Sequence, residues 1–273
     1  MPLQVIEKSM KPALAILKVL GLMPFGHASS SYFAIRLERP DWAQWFPGQF
    51  VMLKPKNFGL ELPWGRPFSI CHMTGRHLIC FFRVVGRGTR LISELSQGDE
   101  VLVWGPLGNS FEIIKDTPTL LLAGGMGIAP FVGYVNRHPQ PWNLTMLFGH
   151  RDQVDCYPVD SLNEHIPVDT LREHEPGDLD NFIYHIQEKM RDCAAQNGLA
   201  LACGPVPFLR TVQITAVETG CKTQISVENR MACGVGACLG CVCKTAPAYK
   251  SGSGLPVQTC LHGPVFWSDQ IEI

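Results

Sequence analysis

The chain has 273 residues, a net charge of -1, 46% hydrophobic residues and 11 cysteines. That length accommodates two modest domains with a real core, and a charge this close to zero excludes an electrostatic case for binding nucleic acid or a membrane surface. No apolar run approaches the ~20 residues that a membrane-spanning helix needs. At the start, Lys8 and Lys11 precede a short apolar run at residues 12–17, which Lys18 interrupts without a small-residue cleavage site behind it. This argues against a secretory signal and for the cytoplasm. The first third then reads as β structure. Short apolar and aromatic runs at residues 16–23, 32–37, 50–54, 68–71, 77–85 and 100–104 are separated by Gly and Pro. Such spacing predicts an antiparallel β-barrel.

The pattern changes near residue 117. Continuous apolar runs at 119–123, 144–148 and 199–203 have the character of buried parallel strands. Helices are predicted from about Pro130, over 181–196 with Phe182, Ile183, Ile186, Met190 and Cys193 at helical spacing, and to about Thr219. Alternating strand and helix predicts a doubly wound α/β domain. A cysteine-rich segment follows, so the chain divides into a barrel over 1–115, a nucleotide domain over 116–222 and a metal-binding segment over 223–273.

Cysteine placement carries the strongest chemistry. Cys71, Cys80, Cys156, Cys193, Cys203 and Cys221 are scattered singly, while Cys233, Cys238, Cys241, Cys243 and Cys260 crowd the end. Stapling by disulfides does not cluster thiols this way; a reducing compartment with one metal site does. Cys233 and Cys238 enclose four residues, Cys238 and Cys241 enclose two, and Cys260 comes later. This is the plant-type [2Fe–2S] spacing. Gly234, Gly236 and Gly240 let the backbone wrap a cluster, with Cys243 an ordinary neighbouring thiol. Structural zinc also takes four cysteines, but its ribbons show two CxxC knuckles where this segment has one.

Gly124, Gly125 and Gly127 follow the 119–123 strand, where a tight turn brings backbone amides close to a pyrophosphate. Cys203, Gly204 and Pro205 close a second strand at the end where open α/β sheets bind ligands. In the barrel, Arg66, Pro67, Phe68 and Ser69 form a compact polar–aromatic turn: an Arg neutralises phosphate, and a hydroxyl hydrogen-bonds a flavin ring. Phe82, Arg83 and Val84, then Gly88 and Thr89, lead into a helix start near Arg90. Residues 105–109 read as a turn, and the nine histidines are scattered.

Taken together, Arg66–Ser69, Gly88–Thr89, the Gly-Pro-Leu-Gly-Asn stretch at 105–109, the Met-Ala-Cys-Gly-Val-Gly-Ala-Cys segment at 231–238 and the Gly-Pro-Val-Phe stretch at 263–266 resemble the electron-transfer subunits of dihydroorotate dehydrogenase B, within the ferredoxin reductase superfamily. The resemblance runs over about residues 16–273. It implies FAD held by residues 66–69, 82–84, 88 and 89, one [2Fe–2S] cluster on Cys233, Cys238, Cys241 and Cys260, and NAD, for which Gly124, Gly125, Gly127, Cys203, Gly204 and Pro205 are the candidates read from the turns themselves. It also implies a partner subunit that carries FMN and oxidises dihydroorotate, in a heterotetramer. Electrons would pass between that FMN and NAD⁺, so this chain needs no acid–base catalytic residue. Two departures stand out: Gly65 precedes Arg66 where many relatives carry a second Arg, and Met126 takes the place of a common third glycine. Arg151, just after the 144–148 strand, leaves NADP open. Related adaptors of ferredoxin transhydrogenases or sulfide dehydrogenases share these modules; a zinc-holding regulatory module is the alternative from another class.

Overall fold

A computed structural model describes residues 13–42, 44–247, 249 and 254–273; the reading of the first twelve residues lies outside them. Among the described residues the chain forms β1 (Ala13–Phe25), β2 (Tyr32–Glu38), β3 (Phe50–Pro55), β4 (Arg66–Ser69), β5 (His72–Met73), β6 (His77–Arg83), α1 (Arg87–Ser93) and β7 (Glu100–Leu107). These seven strands curl into one antiparallel sheet in the order β4-β3-β7-β1-β2-β6-β5. No ladder joins its two end strands; the chain itself crosses between them. The Ile70 amide donates to Gln49 O and the next amide, Cys71, donates to Ile79 O, both at 3.0 Å. The barrel predicted from short alternating runs therefore closes through residues 66–73. Its interior is Val19, Ile35, Val51, Leu53, Leu78, Val101 and neighbours, each fully buried.

Two limits differ from the sequence expectation. β1 is longer than 16–23, because it pairs with β7 from Ala13 to Lys18 and with β2 from Val19 to Phe25, bulging between Val19 and Gly21 where it changes partner. The turn expected at 105–109 is strand as far as Leu107, which pairs with Phe50.

The second unit holds β8 (Thr119–Gly124), α2 (Ala129–Arg137), β9 (Leu144–His150), α3 (Val159–Asn163), β10 (Val168–Arg172), α4 (Asp178–Ala195), β11 (Leu199–Cys203), α5 (Val206–Thr219) and β12 (Lys222–Ser226). With β15 (Val265–Trp267) from the C-terminal segment, the strand order is β10-β9-β8-β11-β12-β15, parallel except for that last strand. Alternate residues of β8 serve two cores. Leu120 and Leu122 face α4 and α5 with Ile186 and Val212, while Leu121 and Ala123 join Phe131, Phe148 and the barrel's Tyr32 and Phe81. α3 and β10 were not anticipated in the polar 157–180 stretch.

The C-terminal segment adds β13 (Val242–Cys243), β14 (Val257–Gln258), α6 (Thr259–His262) and β15 (Val265–Trp267). The expected limit after residue 222 falls on the first residue of β12, and β15 pairs with that strand from Gln224 to Ser226. The cysteine segment is thus anchored at both ends in the nucleotide sheet. Asn109 ties it to the barrel: its side chain donates to Val265 O at 2.6 Å and to His262 O at 3.1 Å, and accepts from the Val265 amide at 2.9 Å.

Candidate functional site

Three candidate sites follow from this arrangement. The first is the turn into β4. The Arg66 guanidinium packs on the first turn of α1, its Nε standing 2.7 Å from where a Cβ on Gly88 would lie. It donates to Trp64 O at 2.9 Å and lies over the Phe58 ring. Only glycine admits that approach. Thr89 accepts the amides of Val85 at 2.9 Å and Gly86 at 3.2 Å, capping the helix start. Arg66, Gly88 and Thr89 therefore share one cradle, with a cation beside helix-start amides: a donor set that fits a diphosphate. The helix begins at Arg87, three residues before the expected Arg90.

The other barrel residues singled out by the sequence separate. Phe68 and Phe82 meet edge to face at 5.6 Å inside the barrel core. Val84 donates its amide to Ser31 O at 2.7 Å. Pro67 and Ser69 pair with Met52 and Phe50 of β3. Arg83 turns to the nucleotide unit, where its guanidinium lies 3.5 Å from Asp152 and over the Tyr32 ring. Tyr32 completes that junction, donating to Asp152 at 2.5 Å and sharing a 2.9 Å bond with the Tyr157 hydroxyl. Burial, then the Asp152 bond, push the Tyr32 hydroxyl far above its ordinary range.

The second site lies at the reversal of strand order between β8 and β11. A Cβ on Gly127 would stand 1.9 Å from Cys203 O, and one on Gly204 would stand 3.0 Å from Gly124 Cα. The two turns are packed backbone to backbone. Gly125 has φ +51 and open space in front of it. An open glycine turn at a switch point is where a dinucleotide fits. Cys203 is 4% exposed, and burial, then the Glu228 carboxylate, push its thiol up; it sits in the core as a neutral thiol. Arg151 is exposed and makes a two-point pair to Glu173, at 2.9 and 3.0 Å.

The third site gathers the four spaced cysteines. Gly234 and Gly236 have φ +72 and +79, so the loop coils through left-handed conformations that side chains resist. Each of the four sulfurs faces an amide: Val235 N on Cys233 and Gly240 N on Cys238 at 3.4 Å, Cys260 N on Cys241 at 3.4 Å, and Gly236 N on Cys260 at 3.2 Å. The thiols influence one another in two pairs, Cys233 with Cys238 and Cys241 with Cys260. Among the described residues no three Cys, His, Asp or Glu side chains converge on one single-ion point. Two thiol pairs with amides aimed at every sulfur fit two irons bridged by sulfide. The Gly240 amide, then Cys233, draw the Cys238 thiol down to about 7, whereas burial pushes Cys260 up to about 12. Cys243 stays outside the group, in the β13–β14 hairpin, with its thiol on Val257 O at 3.5 Å.

Residues 228–272 match the model of the iron–sulfur cluster binding domain of dihydroorotate dehydrogenase B. The NAD(+)-type dihydroorotate dehydrogenase B electron transfer subunit of Clostridium perfringens is 35% identical over 230 residues, covering 82% of this chain and 86% of that protein. That of Caldanaerobacter subterraneus subsp. tengcongensis is 30% identical over 232 residues, with 82% and 86% covered. The chain belongs to the family of dihydroorotate dehydrogenase B electron transfer subunits. The resemblance seen in its motifs thus extends over most of its length. Among solved structures, a chain of the NADH-dependent reduced ferredoxin-NADP oxidoreductase superposes with a TM-score of 0.76 at 22% identity, covering 94% of this chain and 90% of that one. A ferredoxin-NADP⁺ reductase from Plasmodium falciparum gives 0.61 at 13% identity, with 75% and 90% covered. These likenesses establish the ferredoxin reductase fold.

Sequence reasoning overlooked Trp104 and Met52 and read Asn109 only as part of a motif-bearing turn. Trp104 and Met52 sit on the barrel's outer face beside the cysteine loop. An apolar residue on the side of a strand facing away from the barrel core is the signal that could have found the first two.

Proposed function

We propose that this chain carries electrons between NAD and a dihydroorotate-oxidising, FMN-containing partner, using FAD and one [2Fe–2S] cluster. The observation that carries this reading is the amide-lined double thiol pair, beside an Arg66–Gly88 cradle and a glycine switch-point turn on one chain. FAD exchanges electrons in pairs with a nicotinamide and singly with a cluster, so it converts between the two kinds of carrier. Arg66, Gly88 and Thr89 would hold its diphosphate; Ser69, with Pro67 and Phe68, would steady its ring. Phe82 of β6 and Val84 just after it would support that wall, and Arg83 would lock the nucleotide unit against it. Gly124, Gly125 and Gly127, with Cys203, Gly204 and Pro205, would receive the dinucleotide. NAD is the nucleotide printed in the names of the related electron transfer subunits, and we take it as this chain's. Cys233, Cys238, Cys241 and Cys260 would ligate the irons as thiolates.

Purification tests the reading. Flavin bands together with broad iron–sulfur absorption, and a copurifying flavoprotein that oxidises dihydroorotate, are expected. A colourless zinc protein would end it. Removing the Arg66 cation should cost about 1.5–3 kcal/mol of FAD binding. For Arg66→Ala a fluorescence titration should therefore show a Kd raised roughly 10- to 150-fold; an unchanged Kd would place the diphosphate elsewhere.

The partner would dock around exposed Cys238. Val235, Leu239 and Leu261 are 44, 61 and 53% exposed there, an apolar rim around a polar cluster. Leu239→Asp should weaken association by about 2 kcal/mol, as hot-spot losses do. Analytical ultracentrifugation of the coexpressed subunits reads this, and undiminished association would move the interface off this rim. A heterotetramer with two copies of each subunit is the assembly we expect. No helix among the described residues is long and apolar enough to cross a membrane. Seven unpaired thiols outside the cluster, and the cluster itself, fit the reducing cytoplasm.

A further inference from the structure

One side chain touches both the flavin turn and the cysteine loop. Trp104 lies on β7, outside the barrel core. Its ring fills the space in front of Gly65, with Cη2 2.6 Å from where a Gly65 Cβ would lie. Gly65 immediately precedes Arg66, so the indole seats directly against the turn that presents the guanidinium. At its other end, the indole Nε1–H donates to Cys233 O at 2.9 Å across 129 residues of sequence. Met52 of β3, paired with both Pro67 and Trp104, reinforces the contact, its Cγ 2.7 Å from the position of a Gly234 Cβ. Trp104 and Met52 also pack with Cys241 and Cys260. The missing second Arg before Arg66 thus has a physical counterpart: the indole occupies the space a side chain at position 65 would need.

We propose that Trp104 is a positioning residue that couples the flavin turn to the cluster loop. Its ring fixes their spacing, and its N–H, by holding the Cys233 carbonyl, sets the charge next to the cluster. This rests on the electron-transfer reading above. A filler of apolar space would need neither the indole donor nor a glycine at 65.

The experiment uses the full chain loaded with FAD and cluster. Stopped-flow reduction by NADH follows flavin and cluster in the same trace, and the ratio of the two rates is read. Trp104→Leu should lower the cluster-to-flavin ratio by about tenfold or more, since displacements near 1 Å cost this much in positioned reactions. Gly65→Ala keeps the indole but displaces it, so it should lower the ratio too, and should add little in the Trp104→Leu background because both changes break one contact. Trp104→Phe keeps a ring and removes only the donor. It should restore most of the ratio while moving the midpoint potential of the cluster, titrated with dithionite and followed by EPR, to more negative values. Where Trp104→Leu fails to load a cluster, Gly65→Ala and Trp104→Phe decide. A wild-type ratio in Gly65→Ala together with a wild-type midpoint in Trp104→Phe would overturn the proposal. A wild-type chain whose flavin NADH cannot reduce would instead overturn the functional reading, and the dithionite midpoints would still judge Trp104.

Discussion

Cys238→Ser is expected to abolish the cluster's absorption and EPR signal and to stop electron delivery to a one-electron acceptor, while FAD remains bound. The magnitude exceeds the ~100-fold typical of losing a residue that merely supports a ligand, because an iron loses one of its own thiolates. Cys238 is the exposed member of the set, and its sulfur accepts the Gly240 amide. Serine keeps the size but supplies a hydroxyl that stays protonated where the thiol ionises. FAD should survive, because Arg66 and Gly88 belong to the barrel and share no contact with Cys238. Cys243→Ser is the matched comparison: that thiol bonds Val257 O in its own hairpin, and the variant should retain a full cluster. The pair is read by iron content and flavin content per chain. Loss of flavin in Cys238→Ser, or loss of cluster in Cys243→Ser, would contradict the assignment.

The second large effect is expected at Gly127. A methyl group there would sit 1.9 Å from Cys203 O, and the obstruction is backbone, which no rotamer change relieves. Relief requires moving the start of the turn or the end of β11, both set in the parallel sheet. Overpacking of this kind costs up to about 3 kcal/mol. For a unit of about 110 residues that lowers Tm by roughly 10 °C or more. NADH affinity should fall with it, because both walls of the switch point shift. Gly125→Ala separates the two consequences. Its φ of +51 adds strain of about 1 kcal/mol, but no atom lies within 4 Å of the new methyl group. Thermal unfolding with and without NADH distinguishes them: Gly127→Ala should lose both stability and the nucleotide-induced shift, Gly125→Ala mainly the second. An unaltered Tm in Gly127→Ala would mean that the two turns do not pack as described.

How much of this was legible beforehand follows from the range of each interaction. The cysteine spacing and the apolar runs of β8, β9 and β11 are local signals, and they located the sheet and the cluster loop. The glycine turns were weak signals singly. Their meaning comes from Gly127 meeting Cys203, a contact that depends on β11 returning beside β8. Arg83 is a flavin residue by the family resemblance alone. Its partner Asp152 lies in the other unit, and nothing near Arg83 in sequence announces it. β10 is polar and half exposed at the sheet edge, so it lacks the continuous apolar run of its neighbours. β15 comes from a three-residue segment whose strand character depends on β12 beside it. The Trp104 bond to Cys233 spans most of the chain, and only the fold brings it together.

The central claim is that one chain joins nicotinamide to cluster through a flavin on behalf of a dihydroorotate-oxidising partner. The most direct measurement is dihydroorotate-dependent NAD⁺ reduction by the coexpressed, cofactor-loaded complex, followed at the absorbance of NADH. The account predicts NADH formation by the complex and none by the same complex carrying Cys238→Ser. NADH formation that persists in Cys238→Ser, or its absence from a fully loaded wild-type complex, would contradict it.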